Sequence, residues 1–245
     1  MKYWNFSQTD EDVELRISGD IVNDDDVWMY EWLEIESSSP NKFKEELSNH
    51  KGKDITVWID SDGGDVFAAA GIYNSLMEHK GNVTVKVDGK AMSAASVIAM
   101  AGGDIQMSPV SIMMIHNPLT IAAGDMHELR HTADILDTVK DTIINAYQLK
   151  TGRSRAKISE MMDSETFMSA KAAIKDGFAD SMMYTESEEV ITADFSFSRL
   201  SIQNNAKLSM NKLMNIQKEQ DEKEEKDKPK ATDILKAKLG LKLKL

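Results

Sequence analysis

Ile55-Thr56-Val57-Trp58-Ile59-Asp60-Ser61-Asp62-Gly63-Gly64 governs how the rest of the chain is read. Its first five residues are β-branched or aromatic, the composition of a buried strand. The two glycines end that run where the backbone is free to take positive φ and to approach a ligand closely. Val66 to Met77 follows, with Ala68, Ala69, Ile72, Tyr73 and Leu76 spaced as the inner face of a helix. A buried strand, a glycine turn and a helix make one unit.

The unit recurs on both sides. Downstream, Val83-Thr84-Val85-Lys86-Val87 reads as a strand and Asp88-Gly89 as a turn. Ala91 to Ala101 is small and apolar throughout, which predicts a helix buried on all sides. Ser111 to Ile115 is another apolar run, ending in His116-Asn117-Pro118. Upstream, Val13 to Ile17 alternates as a half-buried strand that Gly19-Asp20 ends, and residues 24–36 read as an amphipathic helix opened by Asp24–Asp26. Ser37 to Pro40 breaks that helix, and Phe43 and Leu47 mark another short one. Asp125 to Leu149 is a long amphipathic helix ended by Thr151-Gly152. Shorter helices are expected over Ile158 to Met162 and over Ala170 to Gly177, the last closed by its glycine. Alternating strands and helices place the chain in the α/β class.

Charge divides the chain differently. Its 245 residues carry 41 acidic and 29 basic side chains, a net charge of −12. Residues 206–245 hold 11 Lys against 7 acidic residues, a net +4, which leaves −16 on residues 1–205. An acidic body argues against a binder of the nucleic-acid backbone, which needs clustered Lys and Arg. Gln217 to Lys230 is almost wholly charged, the composition of a flexible linker or a solvated helix. Ile234, Leu235, Leu239, Leu241, Leu243 and Leu245 then return between lysines, which suits a short docking segment. The absence of cysteine excludes disulfides, Cys-ligated zinc and a cysteine nucleophile. No run of 18 apolar residues suggests a membrane span, and Met1 to Asn5 does not read as a signal peptide, so a cytoplasmic protein is expected.

Three features carry chemistry. Gly63-Gly64 is by itself a tight strand-to-helix turn, but successive amides there can cradle an anion. Ser93, in Gly89-Lys90-Ala91-Met92-Ser93-Ala94-Ala95-Ser96, opens a buried helix whose first amides can hold an oxyanion, although a serine packed among small residues is commoner. No Gly-x-Ser-x-Gly elbow surrounds it, which disfavours an α/β-hydrolase. His116 leaves an apolar strand, where an imidazole can act as general base or simply pack at the rim.

These pieces occur in one order, with Phe167-Met168-Ser169-Ala170 and Gly177-Phe178-Ala179-Asp180 after them. Together, over roughly Val13 to Tyr184, they resemble the ClpP family of serine peptidases, especially its phage and prophage branch. The resemblance implies a spiral of repeated β-β-α units with a protruding handle helix at 125–149. It divides the chain into a peptidase domain over 1–190, a short β-prone extension over 191–205 and the Lys-rich tail over 206–245. It makes Ser93 the nucleophile, His116 the general base, and the amides of Gly64 and Ala94 the oxyanion donors. An extended peptide would add as a strand along the Gly-Gly edge.

The third triad member falls on Glu165, two residues before Phe167, where housekeeping members have aspartate; Asp163 is the competing carboxylate. No cofactor or metal is implied. The expected partners are a polypeptide substrate, such as a phage scaffold or capsid protein, and further copies of the chain in stacked rings. The chain begins only a few residues before its first strand, so the axial loop of the housekeeping proteins is expected to be absent, and whether an ATPase assists stays open. Ala94 also stands where a methionine usually follows the nucleophile, which leaves the amide but shrinks a pocket wall.

Three rivals remain. His127-Glu128-Leu129-Arg130-His131 fits His-Glu-x-x-His, a zinc-peptidase helix motif, although Arg130 puts a charge at an inner position. The crotonase superfamily shares the spiral and the Gly-Gly turn but works on thioesters. An inactive ClpP-like shell protein would keep the fold without the chemistry.

Overall fold

The computed structural model describes residues 13–185 and 196–198. Its elements are β1 (Val13–Ile21), α1 (Val27–Trp32), β2 (Ser37–Ser38), α2 (Pro40–Ser48), β3 (Ile55–Gly64), α3 (Val66–Met77), β4 (Val83–Met92), α4 (Ala94–Ala99), β5 (Asp104–Met107), β6 (Ile112–Ile115), α5 (Met126–Thr151), α6 (Arg155–Asp163), β7 (Thr166–Ser169), α7 (Ala170–Asp176), β8 (Ser181–Met182) and β9 (Ser196–Ser198). Of the extension expected over 191–205, the description covers only β9; the tail over 206–245 lies outside the described residues.

One sheet runs β2-β1-β3-β4-β6-β7-β9, with β5 and β8 branching from β4. The pairs from β2 to β6 and the β5–β8 branch are parallel, while β7 and β9 are antiparallel to their neighbours. The fold is thus α/β, as the alternation of elements predicts. Alternate residues of the central strands (Leu15 and Ile17; Val57 and Ile59; Val85 and Val87) are buried on one face. Ala68, Ala69, Ile72 and Leu76 of α3, all six residues of α4, and Phe43 of α2 complete that core.

Several boundaries differ from the sequence reading, for one recurring reason. Asp-Gly pairs that read as turns are accommodated inside strands by bulges. Gly19-Asp20 does not end β1, whose register with β3 shifts between Ser18 and Asp20 and then resumes. Asp88-Gly89 does not turn the chain: β4 pairs Val87 with Ile59, bulges, and pairs Ala91 with Ser61. Gly63-Gly64 is the end of β3 rather than a turn. The helix expected over 24–36 reduces to a 3-10 turn at Asp24–Asp26 and α1, because Glu34 takes φ 56 and Ser37–Ser38 pairs with β1.

Caps fix the helix starts. Asp65 accepts the Ala68 amide at 2.7 Å, Ser154 that of Lys157 and Ser169 that of Ala172. Asp125 and Glu128 form a reciprocal capping box on α5. Among the described residues no helix is long and apolar enough to cross a membrane.

Gly63 has φ +104, and a Cβ there would lie 2.7 Å from Met92 O, 2.8 Å from Ser93 Cβ and 2.9 Å from Ala94 N. Gly152 also has positive φ, +67, but open space around it. Gly152→Ala should therefore cost only the left-handed penalty of about 1–2 kcal/mol. Gly63→Ala should cost more in urea unfolding, since backbone obstructs it; equal losses would show that β3 can retreat from Ser93.

Candidate active site

Ser93 sits between the last residue of β4 and the first of α4 with φ 52 and ψ −123, neither strand nor helix. The sequence reading ran the helix from Ala91; instead it starts at Ala94, and Ser93 forms a sharp strand-to-helix elbow without the Gly-x-Ser-x-Gly signature. Three hydrogen bonds hold it there. The Ser93 amide donates to Met114 O at 2.9 Å, and Ser93 O accepts from the Ser96 amide at 3.0 Å and the Ser96 hydroxyl at 2.6 Å.

Sheet register brings His116 to this elbow. Met92 pairs with Met114 in the parallel β4–β6 ladder, so Ser93, one residue on, and His116, two residues on, leave neighbouring strands. His116 Nε2 lies 2.7 Å from Ser93 Oγ. With the ring proton on Nδ1, the hydroxyl donates to Nε2, the arrangement in which an imidazole takes a serine proton.

Gly64, Ser93, Ala94 and His116 line a cleft of about 570 Å³. Val97, Leu136, Val139 and Ile143 add apolar side chains to its lining. Ala94 is the first residue of α4, and first-turn amides have no intrahelical acceptor. The backbone of Gly63 runs against Ala94 N, so the Gly-Gly segment and the elbow share one corner.

Both carboxylates considered for the third position lie nearby but are held differently. In the antiparallel β6–β7 ladder the last pair is Ile115 with Thr166, and His116 and Glu165 are the next residues beyond it. Glu165 has φ 47 and its amide donates to Met162 O at 3.1 Å. Asp163 ends α6, and its Oδ1 accepts from Asn117 Nδ2 at 2.9 Å and Lys140 Nζ at 2.5 Å. Lys140 first, then Asn117, holds the Asp163 carboxyl below the usual carboxylate range.

The His-Glu-x-x-His segment opens α5. Glu128 Oε2 accepts the Asp125 amide at 2.8 Å, so that carboxylate serves the capping box, while His127, Arg130 and His131 are exposed. No group of three His, Asp or Glu side chains among the described residues is placed to hold an ion.

Tyr147 has no role in the sequence reading, where it is only one apolar position of α5. Here its hydroxyl lies 2.8 Å from Ser96 Oγ. A serine hydroxyl has one proton, and Ser96 gives its own to Ser93 O, so Tyr147 is the donor. Burial pushes the Tyr147 hydroxyl well above its ordinary value, which keeps the proton on it. Phe178 packs edge-on against its ring, centroids 5.6 Å apart. The link spans 51 residues, and no local pattern announces it.

The chain is similar to known proteins over most of the described residues. The Clp protease family matches residues 34–186. An ATP-dependent Clp protease proteolytic subunit from Bacteroides fragilis is 32% identical over 134 residues, 54% of this chain and 65% of that protein. Its counterpart from Carsonella ruddii is 31% identical over 140 residues, 56% and 72% of the two chains. That from Deinococcus radiodurans is 30% identical over 155 residues, 61% and 76% of the two. The match thus spans just under two thirds of the Bacteroides fragilis protein.

Tyr147→Phe removes the donor to a fully buried serine. It should lower stability by about 1–2 kcal/mol in chemical denaturation. A variant as stable as the parent would show that the Ser96 hydroxyl needs no donor.

Proposed function

The chain belongs to the Clp protease family, and from that premise we propose that it is a serine endopeptidase working through Ser93, His116 and Glu165. The observation that carries the proposal is the 2.7 Å contact of Ser93 Oγ with His116 Nε2 on the wall of a cleft. Ser93 Oγ attacks the peptide carbonyl as His116 takes its proton; the imidazolium then protonates the departing amine, and water releases the acyl group. The amides of Gly64 and Ala94 stabilise the tetrahedral oxyanion, each by about 3 kcal/mol.

Glu165 orients the imidazole. Its support is the β6–β7 register, which ends one residue short of both Glu165 and His116, and the engagement of Asp163 by Lys140 and Asn117. The apolar surface of the cleft favours substrates with an apolar side chain beside the cut bond. The chemistry needs no cofactor.

The finer reading is a phage or prophage head-maturation protease, acting in the host cytoplasm on scaffold or capsid protein. Its support is in the sequence: Glu165 and Ala94 at positions where housekeeping members differ, and the Lys-rich stretch over 206–245. The active form is a ring-forming homo-oligomer. α5 has 26 residues, yet its buried side chains are only Ile143, Ile144, Ala146 and Tyr147. Met126, Leu129 and Ile135 on its outer half are exposed, and copies meeting there would cover them.

Ser93→Ala should lose peptide hydrolysis by about 10⁴-fold or more in kcat while keeping its fold and native mass. A serine-directed phosphonate should label the parent at Ser93 and leave the variant unlabelled. Labelling at another residue, or unchanged turnover in the variant, refutes the assignment.

A further inference from the structure

His116 and Asn117 lie beyond Ile115, the last residue of β6, where the paired ladder ends. Side chains from two other elements hold the chain there. Asn117 Nδ2 donates to Asp163 Oδ1 at 2.9 Å, and Lys140 Nζ donates to the same oxygen at 2.5 Å. Asp163 closes α6, with Ser164 N bonded to Glu160 O and Glu165 N to Met162 O, while its side chain is 54% exposed. Lys140 lies in the middle of α5 and is largely buried beside it, its side chain 20% exposed. On the other side of Asn117, Pro118 confines the backbone to extended conformations and lines the cleft. Asn117 Oδ1 is buried with no hydrogen-bond partner among the described residues, so the Asn117 amide is held through its nitrogen.

We propose that Asp163 is a positioning residue for His116: it fixes the exit of β6 by holding Asn117, and Lys140 holds it in place from α5. This rests on reading Ser93 and His116 as the reacting pair. It separates the two carboxylates of Asp163-Ser164-Glu165, Glu165 facing the imidazole and Asp163 the chain that carries it. The Lys140 ammonium on Asp163 Oδ1 also leaves that carboxylate ill placed to steady a second cation on His116.

The test is steady-state hydrolysis of a fluorogenic peptide with an apolar residue at the cut, by the full chain. Variants are Asp163→Ala, Asn117→Ala, both together, Asp163→Asn and Glu165→Gln, with Ser93→Ala as blank and native mass and thermal midpoint as controls. Asp163→Ala and Asn117→Ala should each lower kcat about 10- to 100-fold with KM within about twofold, as expected of a misplaced base. The double variant should be no worse than either single, because both remove one bond. Asp163→Asn keeps an oxygen acceptor for Asn117 and should keep most of the turnover. Parental kcat in both single variants, or losses that multiply in the double, overturns the proposal. So does Asp163→Ala falling to the Ser93→Ala blank while Glu165→Gln stays active, since Asp163 is then the triad acid itself. If Asp163→Ala does not fold, the contrast between Asn117→Ala and Asp163→Asn decides in the same way. Activity surviving in Ser93→Ala refutes the serine-peptidase reading instead, which keeps the two failures apart.

Discussion

The backbone at Ser93 is the constraint on which the surrounding structure depends. A non-glycine residue at φ 52 and ψ −123 costs on the order of 1–3 kcal/mol and persists only where its neighbours over-determine it. Here they do so from three directions. Met114 O fixes the amide, Ser96 fixes the carbonyl twice, and Tyr147 fixes Ser96. The fourth side is Gly63, which can lie against Met92 O and Ala94 N only because it has no side chain. Small residues at Ala91, Ala94 and Ala95 follow from the same crowding, since all three are buried at this junction.

The sheet reaches that junction by dividing. Thr84–Val87 of β4 pair with β5, whereas Lys90–Met92 pair with β6. The bulge at Asp88–Lys90 separates the two halves, and Arg16 Nη1 pins it through Asp88 at 2.8 Å. At Gly89 a Cβ would lie 2.3 Å from Asp60 Oδ1, so a larger residue there would displace the Asp60 carboxylate. One strand thus serves two neighbours, and its second half carries Ser93 away from the core, to the end of β6 from which His116 leaves.

What was legible in the sequence was local. α3 was read to the residue from the spacing of Ala68, Ala69, Ile72 and Leu76, and α7 from its run into Gly177, which does take left-handed φ 81. The resemblance singles out Ser93 and His116, and the structure sets Ser93 Oγ and His116 Nε2 2.7 Å apart. Strand ends were misjudged wherever Asp and Gly suggested a turn, because bulges let the ladder continue through them. The elbow at Ser93 was invisible for a related reason: its φ is imposed by neighbours distant in sequence, not by its own residue type. Tyr147 and Lys140 were missed because their partners lie 51 and 23 residues away.

Those two residues share one helix. Lys140 and Tyr147 are seven positions apart on α5, two turns, so they project from one face about 10 Å from each other. The first reaches the segment that bears the imidazole, and the second the hydroxyl that grips the serine carbonyl. Ser93 and the segment bearing His116 are therefore indexed to a common ruler. Sliding α5 along its axis carries the two marks together and spares their separation, whereas twisting it pulls both contacts off at once. Met126 to His131, the first turns of that ruler, are exposed, and the buried side chains that seat the helix come from its second half.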